Sequence, residues 1–80
     1  MKHLQTFVVT ARLLSFRRAA EQLFLAQPTV TQHIRLLEAE LRVQLFDRGG
    51  KRVRLTPAGE RFLRYADKVL SAYEEGIQDL

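Results

Sequence analysis

Cysteine is absent from these 80 residues, which excludes disulfides, thiolate-ligated zinc and thiol catalysis together and fits a reducing cytoplasm. Histidine occurs only at His3 and His33, and no metal-ligand spacing surrounds either. Thr29 and Thr31 near His33 match a nucleophile and base in composition only. No orienting carboxylate or oxyanion-hole donor accompanies them, and the Asp and Glu residues fall mostly on polar helical faces. An enzyme is therefore not expected, and neither a metal nor a cofactor is expected in this chain. No run of about 18 apolar residues exists to span a membrane. Gln5 and Arg12 interrupt the apolar N-terminus where a secretory segment would need continuity, so a soluble cytoplasmic protein without membrane partners is expected.

A chain this short forms one domain and buries only about 60% of its unfolded surface, so a partner is expected to complete it. The net charge of +4 is unevenly spread: residues 1–66 carry twelve Lys/Arg against five Asp/Glu, whereas residues 67–80 carry one against four. Arg48, Lys51, Arg52 and Arg54 crowd into seven positions, the densest positive patch. Such a cluster attracts phosphates and releases their counterions, although a solvated loop has the same composition.

Four helical patterns are present, with a short extended pair between the third and fourth. Leu4, Phe7, Val8, Ala11 and Leu14 form the first stripe. Ser15 offers an N-cap oxygen to a second helix, in which Phe16, Ala19, Ala20 and Leu23 recur at i, i+3, i+4 and i+7. Ala19 and Ala20 permit the close helix crossing that a helix-turn-helix requires. Phe24-Leu25-Ala26 is then the turn, without the glycine often found there. Pro28 suits the first turn of a third helix, and Val30, Ile34, Leu37 and Leu41 repeat behind it as a core face. Gln27, Pro28, Thr31, Gln32 and Arg35 are left on the opposite side, short polar side chains and one long cation suited to base edges and phosphates.

Val43 to Arg48 and Lys51 to Leu55 are expected to pair across Gly49-Gly50 as a hairpin, with Val53 and Leu55 inward and Arg52 and Arg54 outward, as in a wing on a phosphate backbone. Thr56 as N-cap and Pro57 at the first position restart a helix, with Glu60 near the positive end of its dipole. Phe62, Ala66, Val69, Tyr73, Ile77 and Leu80 step along it close to a heptad seam. Part of that stripe packs on the domain. Tyr73 to Leu80 reach beyond any core that 55 residues supply, which leaves pairing with a second copy or a frayed apolar tail.

These motifs occur in fixed order: Ser15 to Leu23, Ala26 to Thr31, Ile34 to Glu38 with Leu41, Leu45-Phe46-Asp47-Arg48, and Leu55-Thr56-Pro57-Ala58-Gly59. Together they resemble the N-terminal DNA-binding domain of a LysR-type transcriptional regulator, over nearly the whole chain. The resemblance implies a mainly α fold: a winged helix-turn-helix of three helices plus a short β-hairpin wing in residues 1–57, then a long linker helix in 58–80 through which two copies dimerise. Family members continue into an effector-binding domain. That domain is absent from this chain, as in a piece cut to isolate the DNA-binding part. A small-molecule effector is expected for it, and a tetramer is possible for the full-length protein. By similarity the recognition helix, about 27–41, enters the major groove with Gln27, Pro28, Thr31 and Gln32. Lys51 at the tip of the 48–54 wing reaches the minor groove, while Arg17, Thr29, Arg35, Arg48 and Arg52 are assigned to phosphates.

Arg42 stands where the family usually has glycine, Ala26 where Ser or Thr is common, Arg17 where Ser or Thr follows the phenylalanine, and Gln32 where arginine often sits. The expected function is sequence-specific binding of double-stranded DNA by a homodimer on an inverted repeat. The competing reading is a winged helix used for protein contact, its basic patch incidental.

Overall fold

The computed structural model describes all 80 residues. Helix α1 (Lys2–Leu13) is followed by α2 (Phe16–Leu23), α3 (Gln27–Leu41), the strands β1 (Phe46–Asp47) and β2 (Arg54–Leu55), and α4 (Pro57–Asp79). The first three helices pack mutually, the two strands form an antiparallel hairpin, and α4 lies against α1 and β2. This is the winged helix-turn-helix with a long C-terminal helix that the motifs implied.

Local chemistry sets the boundaries. The Ser15 hydroxyl accepts the Arg18 amide at 3.1 Å and starts α2, as its N-cap position required. Ala19 and Ala20 are buried, and α2 there packs closely on its neighbours. Ala26 caps α3 without a side-chain acceptor, and Pro28 occupies the first turn. The Thr56 hydroxyl accepts the Gly59 amide at 3.0 Å, which starts α4 with Pro57 and Glu60 in its first turn.

Three helices end on left-handed residues that are not glycine: Leu14 (φ 50°), Phe24 (φ 57°) and Arg42 (φ 59°). Leu14 therefore leaves the α1 stripe, closing the helix by donating its amide to Thr10 and standing exposed, because the left-handed turn swings its side chain off the helical face. Phe24 takes the conformation that a glycine would adopt more cheaply in the turn and is 95% exposed. At Arg42 the left-handed backbone costs about 1 kcal/mol. Arg42→Gly should thus stabilise the domain by about that amount, raising Tm by about 4–8 °C in thermal unfolding, a size set by the entropy of unfolding of so small a domain. An unchanged Tm would show that the cation recovers the strain elsewhere.

The core holds Phe7, Val8, Ala11, Phe16, Ala19, Ala20, Val30, Ile34, Leu37, Leu45, Phe46 and Ala66. Three edge-to-face or tilted pairs organise it around two aromatics: Phe7 meets Phe46 and Phe62 at 5.6 and 5.4 Å, and Phe46 meets Phe16 at 5.4 Å. The α3 stripe points inward as its spacing predicted, Leu41 packing at the margin.

The hairpin is shorter than its sequence suggested. A two-residue turn at Gly49-Gly50 would set Arg48 opposite Lys51, but Asp47 faces Arg54 and Phe46 faces Leu55, leaving Arg48–Val53 as the connection. A primed two-residue turn needs positive φ, and no glycine in the chain has it. Asp47 Oδ1 instead accepts the Gly49 amide at 3.0 Å, an Asx turn that opens the loop early. Val53 and Leu55 still pack on the core, and Arg52 and Arg54 remain exposed.

The α4 seam divides. Phe62 and Ala66 pack into the domain, joined by Leu63 and Leu70, whereas Val69, Tyr73 and Ile77 are exposed and Leu80 lies past the helix end. Arg12 at the end of α1 pairs with Asp67, tying the root of α4 to the body. The entry of α4 passes so close to β1 that a Cβ built on Gly59 would lie 2.1 Å from the Leu45 carbonyl oxygen.

Candidate nucleic-acid interface

Between α3 and the wing runs an open groove of about 690 Å³. Helix α3 contributes Gln27, Thr31 and Arg35 to it, the start of α2 contributes Ser15, Phe16 and Arg17, and the wing contributes Arg48, Lys51, Arg52 and Val53. Seven of the ten residues singled out for DNA contact are thereby brought together: Gln27, Thr31, Lys51, Arg17, Arg35, Arg48 and Arg52. Pro28 and Gln32 are exposed on the outer ridge of α3, and Thr29 is half-buried; none of the three lines the groove.

The cations differ in how free they are. Arg17 Nη1 pairs with Glu21 at 2.9 Å on the α2 surface, an exposed i,i+4 pair worth about 0.3–0.5 kcal/mol. Arg48 lies 5.0 Å over the Phe16 ring and within 3.5 Å of Glu38. Arg35, Lys51, Arg52 and Arg54 have no carboxylate within ion-pair distance. A groove floored by uncharged polar side chains and rimmed by unpaired cations suits a polyanion whose interior edges carry hydrogen-bonding groups.

His33 faces away from the groove. Its Nδ1 shares a 2.8 Å hydrogen bond with Thr6 Oγ1, and its ring stands 4.8 Å from that of His3. Thr6 and Thr10 are buried polar residues of α1, Thr10 donating to the Thr6 carbonyl at 2.7 Å. Burial first, then the charges of His3 and Lys2, hold His33 below the usual imidazole pKa of 6.5. The unfolded chain then binds more protons than the folded one as pH falls through 6.5 toward that lowered value, so acid reduces stability in this window. Tm measured from pH 8 to 5 should therefore decline below about 6.5. The decline should shrink in His33→Gln, which keeps a hydrogen-bonding group toward Thr6; an identical decline in that variant would assign the effect to other groups.

Comparison with known proteins decides the family. Residues 1–60 match the bacterial regulatory helix-turn-helix proteins of the lysR family. The chain belongs to the LysR family. HTH-type transcriptional regulator CitR of Bacillus subtilis is 47% identical over 79 residues, 99% of this chain and 27% of CitR. Among solved structures, the crystal structure of the BenM DBD with catB site 1 DNA superposes with a TM-score of 0.92 at 40% identity, covering 96% of this chain and 86% of that one. Vibrio fischeri DarR in complex with DNA matches at a TM-score of 0.91 and 37% identity, over 98% of this chain and 27% of DarR. This LysR-family chain thus spans about a quarter of the length of curated relatives such as CitR.

Three features of the interface escape sequence reading. The Glu38 contacts to the wing require two segments to meet in space. The division of α3 between groove and outer ridge depends on where the wing docks. The inward turn of His33 shows only as a polar residue two positions after Thr31, with nothing to mark Thr6 as its partner.

Proposed function

We propose that this chain binds double-stranded DNA sequence-specifically as the DNA-binding domain of a transcriptional regulator. The observation that carries the reading is the single groove in which Gln27 and Thr31 lie between the unpaired cations Arg35, Lys51 and Arg52. Helix α3 enters the major groove, where the Gln27 amide bonds adenine N6 and N7 and the Thr31 methyl packs on a thymine methyl. Gln32 and Pro28, on the exposed ridge, meet base edges if the helix lies deep. The wing follows the adjacent backbone, Lys51 reaching the negative potential of a narrow minor groove and Arg52 a phosphate. BenM DBD and DarR, both solved in complex with DNA, support DNA binding as the role.

In this reading two copies pair through α4. The exposed Val69, Tyr73 and Ile77 offer an apolar ridge at helical spacing, and the acidic Glu74, Glu75 and Asp79 around it favour a place away from phosphates. A dimer then reads an inverted repeat whose half-sites lie about one or more helical turns apart. The function is regulatory and not catalytic, and it is exercised in the cytoplasm. No cofactor is assigned to these residues, and a small-molecule effector is assigned to the further sequence that the longer relatives carry. No helix is long and apolar enough to cross a membrane.

Selection from a pool of random duplexes at about 0.15 M ionic strength tests the whole reading. Enrichment of an inverted repeat supports a dimeric, sequence-specific binder. A bound but unenriched pool would leave only the cationic wing active, and an unbound pool would refute DNA recognition by this domain.

A further inference from the structure

The wing is a two-residue ladder at each strand, too short to hold its own orientation, yet its cations share a groove with the recognition helix. One carboxylate joins the two. Glu38, in the last turns of α3 and with its side chain only 13% exposed, accepts the amides of Leu45 at 2.8 Å and Phe46 at 3.3 Å on Oε2. Its Oε1 accepts from Arg48 Nη2 at 3.5 Å, and that guanidinium lies over Phe16 at the start of α2. Recognition helix and wing therefore meet at a single acidic group, and Arg48 links that group to the supporting helix.

We propose that Glu38 is a positioning residue for DNA binding, holding the wing at a set angle to α3 so that Lys51 reaches the minor groove and Arg52 a phosphate while Gln27 and Thr31 meet bases. This rests on the DNA-binding reading above. By charge alone Glu38 opposes that function, since a carboxylate beside phosphates weakens binding. Its two acceptor bonds to otherwise unpaired backbone amides act in the opposite direction, because they add directional ties between wing and α3 to the apolar packing of Leu45 and Phe46 in the core. The two effects predict opposite results for variants that separate charge from reach.

Glu38→Gln removes the charge and keeps an acceptor oxygen in place; Glu38→Asp keeps the charge and withdraws it from the wing amides. Both are compared with wild type for affinity to a random-sequence duplex across a salt series, and for hydrogen exchange of the Leu45 and Phe46 amides without DNA. Glu38→Gln should retain amide protection and bind at least as tightly as wild type with the same salt slope. Glu38→Asp should lose the protection and bind more weakly, its slope smaller by about 0.9 for each phosphate that the displaced wing no longer neutralises. Thermal unfolding verifies that both variants fold, and Glu38→Ala gives a second loss of reach. Wild-type affinity and protection in Glu38→Asp, or weakened binding confined to Glu38→Gln, would overturn the proposal. Wild-type protein without affinity for duplex DNA would refute the functional reading itself, while exchange at Leu45 and Phe46 would still decide whether Glu38 holds the wing.

Discussion

Replacing Gly59 with alanine should remove a large share of the stability of the domain. The added Cβ would sit 2.1 Å from the Leu45 carbonyl oxygen and 3.0 Å from its carbon, and both are backbone atoms that no side-chain rotation relieves. Leu45 cannot retreat, for it is fully buried and its carbonyl accepts the Thr56 amide at 3.0 Å. Nor can α4 lift away without uncovering Phe62 and Ala66 and breaking the Thr56 cap on the Gly59 amide. Overpacking of this kind costs about 3 kcal/mol or more. A domain of this length has about 4–12 kcal/mol in total, so the loss is a large share. Thermal melting should show Tm lowered by roughly 12–24 °C or no cooperative transition at all. A melt within a few degrees of wild type would mean that α4 approaches β1 less closely than described.

Gln27→Ala should separate reading from sticking. Affinity for the selected duplex should fall by about 1–3 kcal/mol, roughly 5- to 150-fold, while affinity for unrelated duplex and the salt slope stay unchanged. The reason is positional: Gln27 is exposed in the first turn of α3 and lines the groove without a charge, so its removal discards hydrogen bonds to bases and no phosphate contact. The domain should fold as before, since Gln27 contributes nothing to the core. Equal losses on both duplexes, measured by titration at one salt concentration, would take Gln27 out of the reading role.

Much of the fold was legible because periodicity and caps agreed. Val30, Ile34 and Leu37 repeat at helical spacing behind Pro28, Ser15 and Thr56 stand before apolar runs, and all act as their chemistry suggests. The hairpin misled because Gly49-Gly50 is a strong turn signal whose positive-φ option goes unused once Asp47 engages the Gly49 amide. Leu14 matched the α1 stripe by spacing, but spacing carries no information on where a left-handed residue stops the helix.

The candidate site was legible residue by residue and less so as a surface. Seven nominated residues share the groove because helix and loop present them to the same side, whereas the placement of Gln32, Pro28 and Thr29 depended on the angle at which the wing closes on α3. Polar pairs inside the protein were invisible for a related reason. Thr6 and His33 are far apart in sequence and unremarked by any pattern, and only the crossing of α1 and α3 makes them partners.

The last nine residues of α4 have little but their own turns to hold them, since residues 71–79 are all exposed. A free peptide of that length would be mostly coil in water, because initiating a helix is costly and so few turns cannot recover it. Here initiation happens inside the domain, at the Thr56 cap, and the outer turns merely propagate from it. Tyr73 and Ile77 are therefore displayed on a backbone already ordered, and a molecule that covers them freezes side chains but few backbone torsions. Amide exchange along α4 should quicken steadily outward, and the root, not the tip, governs how ready that ridge is to associate.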